Sequence, residues 1–393
     1  MYRRKRLMQI APTNKKERIA TLDILRGFSL FGILLVNILS FNYPMNYVEL
    51  RTYFTAPSDL QGEKWIMILV QGSFYPLFAW LFGYGLQMQA TKAHSLGESF
   101  LPLGSKRMSI LLLFGLFHAF FIWYGDILTT YAIFGFILIL MLKLKPKVQF
   151  IIGMCIYSVF ALFMLLTMWV TEKMSDQYEL SSYTDITNVK SSIEAYGSGS
   201  WLDAMGQRLI DVSSQFSFTM WVAMFFTVFP FMLVGAAMSQ WKVIEKSKKK
   251  AIVWTIVAVI AIPLGIYFKA QLYGNNFEFF GQGLNIAVGA PLLMIGYTSA
   301  IIALCSIPGV AKILSPLSYA GRMSLTLYIM QSIIQSILFY GFAIGLYGKL
   351  GVINLIYISI AIYVFQLGFA RIYLSYFKQG PLETLWKKVT YSK

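Results

Sequence analysis

Ten stretches of this chain are long and apolar enough to be membrane spans: 22–40, 65–89, 108–124, 127–142, 149–170, 216–239, 251–269, 284–305, 323–345 and 352–373. About 20 predominantly apolar residues carry an α-helix across the hydrocarbon core, where every backbone polar group must be paired inside the protein. Composition points the same way. Of 393 residues, 57% are hydrophobic and 13% charged, where a soluble domain carries roughly 25% charge. The expected fold is all-α, a polytopic integral membrane protein with about ten transmembrane helices. A soluble enzyme, a disordered chain and a disulfide scaffold are excluded. Cys155 and Cys305 both sit in apolar runs. Neither their number nor their spacing fits a disulfide or a metal site, so no metal is expected.

The net charge is +16, from 33 Lys+Arg against 17 Asp+Glu. In a soluble protein that balance would suggest nucleic acid. Here the charges fall between apolar runs and read as membrane orientation, so nucleic acid is not expected. With ten spans and a cytoplasmic N-terminus, 26 basic residues lie inside and 7 outside, while the acidic residues divide 5 and 12. Both termini are therefore expected in the cytoplasm of a bacterial cell. Arg3 to Arg18 resembles the basic region of a signal peptide, but no small-residue cleavage site follows and the first helix is expected to be retained. The chain divides into a basic tail (1–21), five helices carrying the candidate site (22–170), an external loop (171–215), five further helices (216–373) and a cytoplasmic tail (374–393). Within the loop, Trp201, Leu202, Met205 and Leu209 recur at helical spacing and predict a short amphipathic helix at the outer interface.

Polar side chains inside spans are costly in hydrocarbon, which makes each a functional candidate. Helix 1 carries Asp23 and Arg26, three residues apart and close enough to pair, and Asn37. Arg26 and Asn37 share one helix face about three turns, roughly 16 Å, apart. Gln71, in the second span, reaches about the depth of Asn37, and Pro76 with Gly83-Tyr84-Gly85 predicts a bend there. His118 has apolar neighbours on all sides and Asp126 lies eight residues on, near enough to meet if the turn folds back. An imidazole can accept and return a proton near neutral pH. Gln331/Gln335 and Ser332/Ser336 make a polar stripe at i, i+4, which reads either as a pore lining or as interhelical packing. Arg26, Lys106, Arg107, Arg322 and Arg371 stand at inner span ends. Guanidinium groups there can snorkel to lipid or bind the phosphates of a nucleotide-type donor. No P-loop or dinucleotide fingerprint is present.

Several stretches taken together resemble the YeiB family of bacterial membrane proteins (domain of unknown function 418). They are Arg18 to Asn37, Arg107 to Gly135, Tyr196 to Arg208, Gly321-Arg322 to Ser332, and Gly380-Pro381-Leu-Glu383 to Trp386. The first two helices are similar, more distantly, to the heparan-α-glucosaminide N-acetyltransferase group. There a Leu-Asp-x-x-Arg-Gly helix ends in an asparagine and a Phe-x-Pro-x-Phe helix follows, matched here by Asp23 to Asn37 and Phe74 to Gly83. That resemblance implies a transmembrane-acyltransferase-like bundle in which Asn37 matches the proposed active-site asparagine. The histidine that group places between helices 1 and 2 has no counterpart here; His118 is the nearest substitute.

The expected activity is transfer of an acyl group from cytosolic acyl-coenzyme A to an extracytoplasmic hydroxyl or amine on a sugar, lipid or envelope glycan. Arg26, Arg107 and Arg322 would hold the donor, His118 would act as base, Asp126 would orient it, and Asn37 would steady the oxyanion. Gln71, Gln331 and Arg208 would line the acceptor's path. The expected partners are membrane lipids and a small-molecule or glycan acceptor, with a homo-oligomer an open alternative. The rival expectation is a transporter of a small polar or amphiphilic solute, supported by the Gln331/Gln335 and Ser332/Ser336 stripe.

Overall fold

A computed structural model describes residues 19–48, 50–54, 56–174, 184–274 and 278–391. The basic tail through residue 18 and part of the loop expected to be external, 175–183, lie outside the described residues. Every regular element among the described residues is helical, so the protein is an all-α polytopic membrane protein. Eight helical stretches are long and apolar enough to cross a membrane, and two shorter apolar helices accompany them. All ten expected spans are met by one of these.

The helices that position the site are α1 (Ala20–Asn42), α2 (Pro57–Leu69), α3 (Phe74–Ser95), α4 (Leu101–Phe121), α5 (Leu128–Met141) and α6 (Pro146–Met174). Two helices of the loop between the fifth and sixth spans follow, α7 (Ile186–Gly197) and α8 (Trp201–Gln215). The second half contains α9 (Phe218–Gln240), α10 (Ala251–Ala270), α11 (Ala290–Ser306), α12 (Ser315–Arg322), α13 (Ser324–Phe339), α14 (Val352–Tyr376) and α15 (Pro381–Tyr391).

The second span is not one bent helix. It breaks into α2 and α3 at residues 70–73, where Gly72 takes φ +77°. That left-handed backbone ends a helix, and glycine adopts it without a Cβ penalty. Pro76 falls in the first turn of α3, where its missing N–H costs nothing. Gly83 serves close packing instead. A Cβ on it would sit 2.0 Å from the Met232 carbonyl oxygen, and one on Gly235 would sit 2.0 Å from that of Trp80. The backbones of α3 and α9 therefore touch, as small residues allow between membrane helices.

The expected span 323–345 is also shorter than the sequence suggests, because α13 stops at Phe339. The 14 residues of α5 and 16 of α13 extend only about 21 and 24 Å at 1.5 Å per residue. Non-helical chain completes both crossings, and Trp123, Tyr124, Tyr340 and Tyr347 in it are buried. Irregular backbone at membrane depth is tolerated when protein surrounds it. By contrast, α6 and α10 are mostly exposed, as helices facing lipid are.

The amphipathic helix forms as the spacing predicts. Ser200 and Asp203 make a reciprocal capping box at its start. Trp201, Leu202, Leu209 and Ile210 face outward, while Gln207, Arg208 and Asp211 are buried against the protein. A helix that turns its polar face inward and its apolar face outward is suited to an apolar surrounding.

Candidate functional site

A cavity of about 760 Å³ opens at the end of the bundle where α1 and α4 begin, α3 ends and α15 docks. Its rim carries Arg26, Lys92, Arg107, Lys242, Arg322 and Lys387, with Asp23, Glu245 and Glu383 among them. Deeper in, the walls turn apolar and aromatic through Leu30, Ile33, Phe78, Phe82, Tyr131 and Tyr328. The three arginines expected to bind a donor thus share one cavity, although they come from α1, α4 and α12.

Their surroundings explain their poses. Arg26 Nη1 donates to Asp23 Oδ1 at 2.7 Å, the pairing that the i, i+3 spacing predicts. Arg107 lies over the Trp386 ring at 4.3 Å, and the indole N–H of Trp386 donates to the Arg107 carbonyl at 3.0 Å. Arg322 Nη2 donates to the Lys378 carbonyl at 3.1 Å. The Glu383 carboxylate accepts the backbone N–H groups of Leu325 and Thr326 at 2.8 and 3.0 Å, and the Thr326 hydroxyl at 2.5 Å. The first N–H groups of a helix have no partner within it, and Glu383 supplies one for α13. Burial pushes the Glu383 carboxyl above its ordinary range, against the lowering effect of these hydrogen bonds. The Gly380-Pro381 to Trp386 stretch is therefore a latch that fastens the ends of α4 and α13 around the cavity rim.

At the deep end the α4–α5 turn folds back and brings Asp126 onto His118, with Oδ1 2.9 Å from Nδ1. Gly115 leaves room for this, since a Cβ there would be 2.5 Å from the Thr129 nitrogen. Asp126 Oδ2 accepts the Thr129 N–H at 2.7 Å. On the far side of the imidazole, Nε2 lies 2.9 Å from Ser332 Oγ of α13. The aromatic rings of Tyr328 and Trp123 pack against the imidazole at 5.1 and 6.3 Å. His118, Asp126 and Ser332 are all buried. They lie just behind the cavity wall, because Ile127 and Tyr328 line it.

The other candidates are dispersed. Asn37 is half-buried and makes no hydrogen bond among the described residues; the cavity wall on α1 ends one turn short of it, at Ile33. Gln71 occupies the α2–α3 turn, away from the cavity, and its carbonyl accepts from the buried Lys269 ammonium. Gln331 Nε2 donates to Gln366 Oε1 at 2.9 Å, and Gln366 Nε2 to the Leu327 carbonyl at 2.9 Å. Gln335 Nε2 donates to the Gln331 carbonyl at 3.1 Å. The stripe is thus buried and not an open lining: Gln331 joins α13 to α14, while Ser332 and Ser336 face α4 and the turn after it. Arg208 is buried too and donates to the carbonyls of Phe120 and Phe121 at 3.4 and 3.1 Å, which caps the C-terminus of α4.

Sequence reasoning missed four residues. Ser332 was read only as part of the stripe. Glu383 was a motif letter without a role. Asp211 binds the hydroxyls of Tyr47 and Tyr196, each at 2.6 Å, and burial raises its carboxyl above the ordinary range. Lys269, the last residue of the expected span 251–269, is fully buried and also reaches Asn285 Oδ1 at 3.3 Å. A lysine closing an apolar run was the signal available for the last of these.

The fold and cavity define a polytopic membrane protein with one basic-mouthed chamber running toward a buried histidine–aspartate pair. The chain belongs to the family that includes YxaH of Bacillus subtilis (strain 168), to which it is 34% identical over 98% of its length and 97% of that protein's. YeiB of Escherichia coli (strain K12) is 27% identical over 95% of this chain and 96% of its own, and a 39.9 kDa protein from the amylase 3' region of Bacillus acidopullulyticus is 28% identical over 97% and 96%. All three are described as uncharacterised. Residues 238–393 match the family described as "Protein of unknown function (DUF418)".

Proposed function

We propose that the protein is a membrane acyltransferase that moves an acyl group from cytosolic acyl-coenzyme A to a hydroxyl or amine acceptor on the other side of the membrane. The carrying observation is one chamber with three arginines at its mouth and the His118–Asp126 pair behind its deep wall. Arg26, Arg107 and Arg322 suit the phosphates of the donor, since guanidinium groups pair with phosphate bidentately. The apolar wall from Leu30 to Tyr328 suits the pantetheine arm and its acyl thioester. With Nδ1 protonated and donating to Asp126, Nε2 is free to accept the proton released as the acyl group is attacked. Asp126, held by the Thr129 N–H, fixes that tautomer. In this reading the rim faces the cytoplasm, which agrees with the excess of Lys and Arg at that end. Neither Gln331 nor Arg208, expected along the acceptor's path, lines the chamber; both are buried against neighbouring helices.

The test is thermal unfolding of the purified protein in detergent with acetyl-coenzyme A. The donor raises Tm in the wild type, because a ligand that binds only the folded state stabilises it. Arg26→Ala and Arg107→Ala diminish the shift. No shift at millimolar donor overturns the assignment.

A further inference from the structure

We infer that Ser332 is a nucleophile that carries the acyl group covalently, so that transfer proceeds in two half-reactions. The inference rests on the acyltransferase reading and deepens it. It stands on the order Asp126 Oδ1, His118 Nδ1, His118 Nε2, Ser332 Oγ, with 2.9 Å at each end of the imidazole. This is the relation in which a carboxylate orients a base and the base activates a hydroxyl. Ser332 comes from a distant part of the chain, 214 residues from His118, whereas Asp126 is only eight residues from the imidazole. Packing alone would be satisfied if the Ser332 hydroxyl bonded back to its own helix. The Tyr328 carbonyl does offer that, but at 3.4 Å, the longer of the two contacts. The imidazole is therefore the better acceptor.

Placement supports the role. Tyr328 is on the cavity wall, and Ser332 is one helical turn, about 6 Å, beyond it on the same helix. The Tyr328 ring, which lines the chamber, also packs against His118. Trp123, also against the imidazole, has a buried indole N–H with no hydrogen-bond partner among the described residues, a donor suited to an oxyanion.

The chemistry balances without a further reactant. Ser332 Oγ attacks the thioester carbonyl while its proton passes to His118 Nε2. The C–S bond breaks, the coenzyme A sulfur takes that proton and leaves as the thiol, and Ser332 holds the acyl group as an ester. The acceptor hydroxyl or amine then gives its proton to Nε2 and attacks the ester. The C–O bond to Ser332 breaks, and its oxygen recovers the proton from His118.

The test uses the full-length protein in detergent and two probes. Radiolabelled acetyl-coenzyme A is supplied without acceptor, the reaction is quenched in acid, and the labelled peptide is mapped. In parallel, a fluorophosphonate reports a base-activated serine without needing the donor. Both probes should mark Ser332. Marking should disappear in Ser332→Ala, slow by about 100-fold or more in His118→Gln, and persist in Ser336→Ala, one turn further along α13. Ser332→Cys keeps the volume and a nucleophile and should take the acetyl group as a thioester, which separates lost chemistry from lost folding. If the fluorophosphonate marks Ser332 but the donor neither acetylates the chain nor shifts its melting, the nucleophile stands and the donor assignment falls. If acetyl transfer to an acceptor survives in Ser332→Ala at the wild-type rate, the covalent step is overturned and the acyltransferase reading stands. Absence of marking by both probes overturns the inference.

Discussion

Trp386 and Arg107 hold each other twice: the guanidinium stacks 4.3 Å over the indole, and the indole N–H binds the Arg107 carbonyl at 3.0 Å. One residue comes from the last helix of the chain and the other from the fourth, so this contact fastens the C-terminal segment to the rim of the chamber. It fixes an arginine that would otherwise sample many rotamers, and its planar geometry depends on guanidinium and not merely on charge.

Removing that contact should affect binding as well as folding. Trp386→Ala is expected to destabilise the protein by about 1–3 kcal/mol and to shrink the Tm shift produced by acetyl-coenzyme A. Trp386→Phe keeps a ring for stacking but lacks the N–H, and should fall between. Thermal unfolding with and without donor measures both effects. A full donor shift in Trp386→Ala would show that the latch does not organise the rim.

The Glu383 cap carries a pH signature. Its folded-state value lies above the ordinary 4.5, chiefly because of burial. Folding therefore favours the protonated form. The resulting stabilisation is complete below the ordinary value and is lost as pH climbs through the raised one. Glu383→Gln does not titrate at this site. The wild type should lose stability relative to Glu383→Gln as pH rises from 4 to 8, read as the difference in Tm at each pH. A difference that grows in favour of the wild type over that range would reverse the sign and refute the account.

Arg208 closes the far end of the helix that carries His118. Arg208→Ala leaves the Phe120 and Phe121 carbonyls without that donor, at a cost of about 1–3 kcal/mol. Because α8 would lose its hold on α4, cleavage between α7 and α8 by an added protease should speed up. Arg208→Lys restores charge without the fork and should rescue only part of the loss. Protease resistance equal to wild type in Arg208→Ala would rule out this docking role.

The predicted helix 201–209 and the ten spans were legible because each depends on local periodicity and apolar length. The pairing of Asp23 with Arg26 was legible for the same reason, since i, i+3 neighbours meet on any helix. The His118–Asp126 contact was half legible. Eight residues allowed it, but only the turn at 122–127 and the absent side chain of Gly115 brought the carboxylate onto the ring. Asn37 illustrates the opposite failure. Its shared face with Arg26 was sound helix geometry, yet the chamber ends before reaching it.

By itself, then, the sequence determined that this chain lives in a membrane as an all-α bundle, where the amphipathic helix of its long loop forms, and which few polar groups must find partners away from water. Only the tertiary structure decided who those partners are: Ser332 for His118, Gln366 for Gln331, Trp386 for Arg107, Glu383 for the start of α13. The reason is physical. Transfer into lipid is settled residue by residue along the chain, whereas a buried polar group is satisfied by whichever helix stands beside it. That choice is made by close-packed surfaces such as Gly83 on α3 and Gly235 on α9, which meet across more than a hundred intervening residues.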